Sequence, residues 1–249
     1  MADSDTEREA LLAAIANVAD RLADEKKHLT DLDSAIGDAD HGANMNRGFG
    51  AAVEEAESAE GEATDVVKAV GRALVSKVGG ASGPLYGGSI MAASAELEGG
   101  ITAETTVAFG EAYLEKMQDR GDAPIGAKTM VDAVTPAVHT YKKSIETDDL
   151  SPLEALGKAV DAAERGVDFT VPLRAKKGRA SYLGWRSVGH QDPGATSTLF
   201  VLEELLATAE DYLDDETERD AAAPAEPDVD PDGTNPEAAD DPAANEEAE

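Results

Sequence analysis

Cysteine is absent from the 249 residues, which excludes disulfides, thiolate nucleophiles and cysteine-held metals. Aromatic residues make up only 4%, so alanine, leucine and valine must fill the core, which suits closely approaching helices. No apolar run approaches the roughly 18 residues of a membrane span. The N-terminus, MADSDTEREA, is acidic where a signal peptide would be basic and then apolar, so a soluble cytoplasmic protein is expected. Positive charge is scarce too: 21 basic against 52 acidic residues leave a net charge of -31. Residues 214–249 hold fifteen acids and one base, or -14, and residues 1–213 carry the remaining -17. Such a surface repels nucleic acid and anionic membranes, so neither is expected as a partner.

An acidic body with only eleven lysines suits concentrated salt, where the Debye length shrinks to roughly 3 Å at 1 M. A halophilic protein is therefore expected. Its melting temperature should rise between dilute buffer and molar KCl, and an unchanged value would contradict the expectation.

Strand-like alternation is missing as well, and helical periodicity dominates. Leu11, Leu12, Ile15, Val18, Ala19 and Leu22 form one apolar stripe, and Leu199, Leu202, Leu205 and Leu206 form another near the end. Between them the pattern predicts helices near 44–58, 64–78, 83–98, 103–119, 129–146 and 152–168. Ser151-Pro152-Leu153-Glu154 marks the last start with an N-cap, a proline at the first helical position and a capping-box glutamate. Eight helices make an all-α bundle over 1–213. The stretch 214–249, rich in acid, proline and alanine, cannot bury enough apolar area to offset its ordering entropy, and a disordered acidic tail is expected there.

The chemistry concentrates in LDSAIGDADHGANMNRGF, residues 32–49. Asp33, Asp38 and Asp40 do not recur at the three and four of a helix face, so a loop is expected to gather them. Their hard oxygens suit Mg2+, which shares its coordination with water and substrate phosphates. The helix that follows would turn its first N–H groups toward an anion. A calcium loop beginning at Asp38 fails on count, since Ala43 stands where its glycine should be and Phe49 where its glutamate is required. A merely solvated acidic loop is the plainer alternative. A phosphohistidine at His41 is disfavoured, because the neighbouring carboxylates would repel an incoming phosphate.

Gly79-Gly80-Ala81-Ser82-Gly83 can form a backbone nest for phosphate, or an ordinary turn. GDAPIGAKT, 121–129, has one residue too many before Lys128 for a Walker loop, so Lys128 either reaches phosphate from another scaffold or is solvated. Arg179 lies in a basic segment, Arg174 to Arg179, where a guanidinium fork can hold phosphate oxygens; a patch against an acidic subunit is the rival reading. Asp192-Pro193-Gly194 opens the final helix, with Asp192 as its cap or as a nucleotide contact.

Taken in order, these motifs, with KGRASYLG at 177–184 and GHQDPGATS at 189–197, resemble the DhaL family, the nucleotide-binding subunits of dihydroxyacetone kinases. The resemblance spans about the first 213 residues. It implies a closed antiparallel eight-helix barrel with nucleotide bound at one end, ADP or ATP as cofactor, and two Mg2+ ions on Asp33, Asp38 and Asp40. It places His41, Gly42, Asn44, Ala81, Ser82, Gly126, Thr129, Met130, Asp192, Pro193 and Gly194 at the nucleotide, with Arg179 there as the catalytic contact. It further implies a separate K subunit holding dihydroxyacetone as a hemiaminal on a histidine. In the branch with free-standing L chains, bound ADP is rephosphorylated by a phosphohistidine protein of the phosphoenolpyruvate-dependent phosphotransferase system. An ATP-dependent kinase subunit, another acceptor, a non-catalytic ADP-responsive regulator and a homodimer are left open.

Overall fold

The computed structural model describes residues 4–213, and within them every regular element is helical. The α-helices are α1 (Ser4–Asp24), α2 (Lys26–Ile36), α3 (His41–Ser58), α4 (Ala63–Lys77), α5 (Ser82–Ala93), α6 (Ala103–Gly121), α7 (Val131–Glu146), α8 (Pro152–Thr170) and α9 (Pro193–Tyr212). Short 3-10 helices cover Ser94–Leu97 and Arg179–Ser187. The tail expected at 214–249 lies outside the described residues.

α1 packs on α3, each of α3 to α8 packs on its successor, and α9 returns to α1, which closes an antiparallel ring of eight helices. These eight are the ones the apolar stripes predict. α2 is additional, and sits outside the ring against α3, α9 and the Arg179–Ser187 segment. Its buried face is Leu29, Asp33 and Ile36, so an acid occupies a position where the stripe should be apolar, and the pattern conceals the helix. Asp33 therefore stands in the last turn of α2 instead of in a loop. The helix expected at 83–98 ends at Ala93 and tightens into the 3-10 turn Ser94–Leu97.

Because neighbours in the ring run antiparallel, alternate members begin at the same end. The N-termini of α3, α5, α7 and α9 share one end of the ring, and the segments 37–40, 78–81, 122–130 and 171–192 lead into them. The capping box at Ser151 and Glu154 is formed as expected, with the Ser151 Oγ accepting from the Glu154 N–H at 3.3 Å and Glu154 Oε2 accepting from the Ser151 N–H at 3.1 Å.

Alanine and valine dominate the buried positions, and α4 and α5 approach to backbone contact. A Cβ on Gly71 would lie 2.8 Å from the Gly87 carbonyl oxygen, and one on Gly87 would lie 2.5 Å from that of Gly71. Gly87→Ala should therefore force the two helices apart and cost about 3 kcal/mol, read as a lower denaturation midpoint with unchanged slope. A midpoint equal to the parent's would contradict that packing. Small side chains do not fill the axis of so wide a ring, and an apolar cavity of about 450 Å³ remains, lined by residues including Val18, Val70, Ile90, Tyr113, Val134 and Val201. Among the described residues no helix is long and apolar enough to cross a membrane.

Candidate functional site

Asp33, at the end of α2, is buried at 8% exposure. Its Oδ2 accepts the backbone N–H of Asp40 at 2.8 Å and of His41 at 3.1 Å, so it ties the end of α2 to the start of α3. The turn between them reverses through Ala39, whose φ of 61° is left-handed. One oxygen each from Asp33, Asp38 and Asp40 lies within 4.8 Å of the others. Three hard carboxylates so close repel one another unless a cation joins them, and the exposure of Asp38 and Asp40 leaves coordination positions for water or phosphate. The residues present fit Mg2+.

Arg179 opens the 3-10 segment beside this loop, and its Nε stands 2.8 Å from an Asp38 oxygen. Ile36, Ala175, Ala180 and Leu183 form a small apolar cluster that fastens the segment to α2. The guanidinium is consequently brought to the carboxylates by packing, although 70% of the side chain is open to solvent.

His41 takes a different place from a ligand-facing one. Its ring is turned inward, with Nε2 2.9 Å from Ser197 Oγ. Burial pushes its pKa down, opposed by Asp33 and Asp40, so the imidazole is held toward its neutral form. Ser197 continues to the Tyr86 hydroxyl at 3.0 Å, which meets Thr198 Oγ1 at 2.7 Å and donates to the Gly194 carbonyl at 2.8 Å. Burial raises the Tyr86 pKa to about 12, opposed by Ser197 and Thr198, so it stays protonated as a donor. This network joins α3, α5 and α9 beneath the carboxylates. Gly42 is explained by packing, since a Cβ there would lie 2.1 Å from the Lys26 carbonyl where α2 crosses α3.

Asn44 is buried, accepts from Arg47 at 2.6 Å and lies against Gly79, which brings the turn that opens α5, with Ala81 and Ser82, beside α3. On the facing side Met130 touches the Gly194 position, so the 126–130 turn abuts the start of α9. Asp192 caps α9, accepting from the Ala195 N–H at 2.8 Å.

Asp132 is a positioning residue that the motifs do not single out. It is 1% exposed, and its two oxygens accept the N–H groups of Gly126 and of Thr129, the latter at 2.9 Å. Thr129 and Asp132 are spaced like a capping box, which is the signal that reveals it. Lys128, expected on phosphate or in solvent, does neither. It is 1% exposed, and its ammonium donates to the carbonyls of Thr170 at 2.8 Å, Leu173 at 3.3 Å and His190. Its pKa is lowered by burial, against the pull of Asp192 and Asp132.

Burial raises the Asp192 pKa to about 7, with Asp132 adding to it and the Ala195 N–H and Lys128 opposing it. Between the ordinary carboxylate value of 3.8 and about 7 the folded chain holds a proton that the unfolded chain has released. The associated stability is full below the first value and lost as pH rises through the second. Asp192→Asn should flatten this fall in melting temperature between pH 4 and 7, and a slope identical to the parent's would contradict it.

Four helix N-termini, a carboxylate triad and an arginine thus meet at one end of an eight-helix ring, and residues 35–207 match the DAK2 domain. This chain belongs to the DAK2 domain family. It is 42% identical over 195 residues to the PEP-dependent dihydroxyacetone kinase ADP-binding subunit DhaL of Escherichia coli, covering 77% of this chain and 92% of that one. It is 41% identical over 191 residues to the PTS-dependent counterpart of Lactococcus lactis, covering 75% of this chain and 90% of that one. Among solved structures, the dihydroxyacetone kinase of C. freundii in complex with AMP-PNP and Mg2+ superposes with a TM-score of 0.58 at 27% identity, over 80% of this chain and 34% of that longer one. The DAK2 match begins at the end of α2, two residues after Asp33, and runs into α9, so it takes in the other site residues but not Asp33 itself.

Proposed function

We propose that this chain is the ADP-binding, phosphoryl-transferring subunit of a dihydroxyacetone kinase. The observation that carries the reading is the gathering of Asp33, Asp38 and Asp40 within 4.8 Å at the end where α3, α5, α7 and α9 begin. Each of these helix N-termini presents unpaired N–H groups and local partial positive charge, which can meet a polyanion whose remaining charge is neutralised by cations on the carboxylates. Asp33, Asp38 and Asp40 would hold two Mg2+ ions, whose chemistry is to neutralise charge on the phosphate oxygens during transfer. The nest around Ala81 and Ser82 would donate N–H groups to phosphate. Asn44, Gly126, Thr129, Met130, Pro193 and Gly194 would wall the nucleotide, while His41, Gly42 and Asp192 hold the backbone that does so. Arg179, already beside Asp38, would contact the transferring group as its charge spreads. No protein nucleophile is needed.

The E. coli and L. lactis relatives are named as ADP-binding subunits of PEP-dependent and PTS-dependent dihydroxyacetone kinases, which supports phosphoenolpyruvate as the source of the phosphoryl group; relay through a phosphohistidine protein to bound ADP, and an acceptor held on a separate subunit, belong to the proposal. A cytoplasmic setting belongs to the same proposal, as does a halophilic one, which the acidic composition supports. Native mass spectrometry of the gently purified chain with nucleotide extraction tests it. Retained ADP with two Mg2+ supports the phosphoenolpyruvate-fed subunit. An empty site that exchanges ATP readily overturns the donor and favours an ATP-dependent kinase, and no nucleotide binding at all overturns the reading.

A further inference from the structure

We propose that Arg47 is a positioning residue that fixes the side-chain amide of Asn44 as a donor to the nucleotide phosphates. The proposal rests on the phosphoryl-transfer reading given above. Asn44 and Arg47 stand three residues apart on α3, so they share one face of that helix. Arg47 Nη2 donates to Asn44 Oδ1 at 2.6 Å, and Arg47 Nε donates at 2.9 Å to the carbonyl of Lys77, the last residue of α4. One planar fork thus ties the start of α3 to the end of α4. The Lys77 carbonyl is among the last four of its helix, which have no intrahelical partner, and a cation is favoured at that end.

The contact decides which way the amide points. Arginine carries donors and no acceptor, so the Asn44 atom that faces it is the oxygen, and the NH2 group lies on the other side. Among the described residues no group accepts from that nitrogen, although Asn44 is only 7% exposed. Donors left unmet on so buried a side chain cost free energy that a ligand oxygen recovers. Gly79 lies directly against the amide, where a Cβ would stand 2.7 Å from Oδ1 and 3.1 Å from Nδ2. The NH2 group is therefore beside the turn that opens α5, whose first N–H groups are also without intrahelical partners. Side chain and backbone together present donors there, which suits a phosphate. Turned over, the amide would aim its oxygen at the same place and repel that phosphate.

Arg47 acts through Asn44 and not through its own charge. Its bonds go to the Asn44 oxygen and the Lys77 carbonyl, and what they fix is the amide and the chain end that leads into the Gly79 turn. A lysine would keep the charge but lose the fork that holds both acceptors at once. Asn44→Ala removes the group through which Arg47 is felt, so a second change at Arg47 has nothing further to disturb.

The test titrates the full chain with MgADP by calorimetry, for the parent, Arg47→Met, Asn44→Ala and the double variant. Each single change should weaken binding about tenfold or more, the worth of a hydrogen bond to a charged group. The double variant should bind no more weakly than Asn44→Ala, and Arg47→Lys should lose about as much as Arg47→Met. Melting temperatures should stay near the parent's, because Arg47 is exposed. Without nucleotide, the Asn44 side-chain amide resonances of 15N-labelled protein, identified by their loss in Asn44→Ala, should shift in Arg47→Met. A double variant weaker than the parent by the product of the two single losses, about a hundredfold or more, would put Arg47 on the phosphate itself and overturn the proposal. So would a lysine variant that binds like the parent, which makes the role one of charge, or a large fall in melting temperature, which makes it structural. A parent that binds no MgADP overturns the phosphoryl-transfer reading as well, whereas a parent that binds it beside unshifted Asn44 resonances or an unweakened Arg47→Met overturns the positioning role alone.

Discussion

Asp38→Ala should abolish Mg2+-dependent ADP binding, with affinity falling by more than about 100-fold, since losing a ligand exceeds the 10- to 100-fold cost of losing a ligand's support. The fold should be untouched. Asp38 is half-exposed, and its ion pair is with Arg179, whose own side chain is 70% exposed, so the pair contributes little to stability. Asp33 would be the poorer choice, because its carboxylate also holds the N–H groups of Asp40 and His41, and its removal would loosen the start of α3 as well. Without Mg2+ the Asp38 variant should melt no lower than the parent, since one of three crowded carboxylates has gone. Calorimetric titration with and without Mg2+, beside a thermal melt, checks both halves. Unchanged ADP affinity would remove Asp38 from the metal site; a large fall in melting temperature would show that it holds the loop.

The ring and the carboxylate loop are legible in the sequence for different reasons. Apolar stripes at helical spacing depend only on which residues are buried, and burial in this ring is mostly local to each helix. The Ser151 capping box and the Asp192 turn are local too, since each device closes within three residues. From eight antiparallel helices the convergence of alternate N-termini follows by geometry at both ends, and the carboxylate loop that leads into α3 marks the end at which an anion belongs. α2 escapes because Asp33, at the position between Leu29 and Ile36, reads as an interruption of the stripe when it is in truth the buried end of a helix. The inward turn of His41 escapes because its partner, Ser197, is 156 residues away on α9.

Lys128 is the clearest case of a residue whose role the sequence conceals, since its partners are main-chain carbonyls, which carry no side-chain signature. They belong to Thr170, Leu173 and His190, and so bracket the segment that carries Arg179 at both of its ends. One ammonium has three donors, and all three are used. The residue also has a φ of 61°, a backbone conformation that only well-supported side chains tolerate. Lys128→Met keeps the length of the side chain but leaves three carbonyls unsatisfied and the neighbouring Asp132 and Asp192 without their cation. The loss should be about 3–5 kcal/mol. It should be accompanied by faster hydrogen exchange across 171–190 than across α1 or α4, because the segment loses its pin while the far side of the ring keeps its packing. A lysine that served phosphate would behave in the opposite way, with stability and exchange unchanged and only ADP affinity reduced, and that outcome would return Lys128 to the nucleotide.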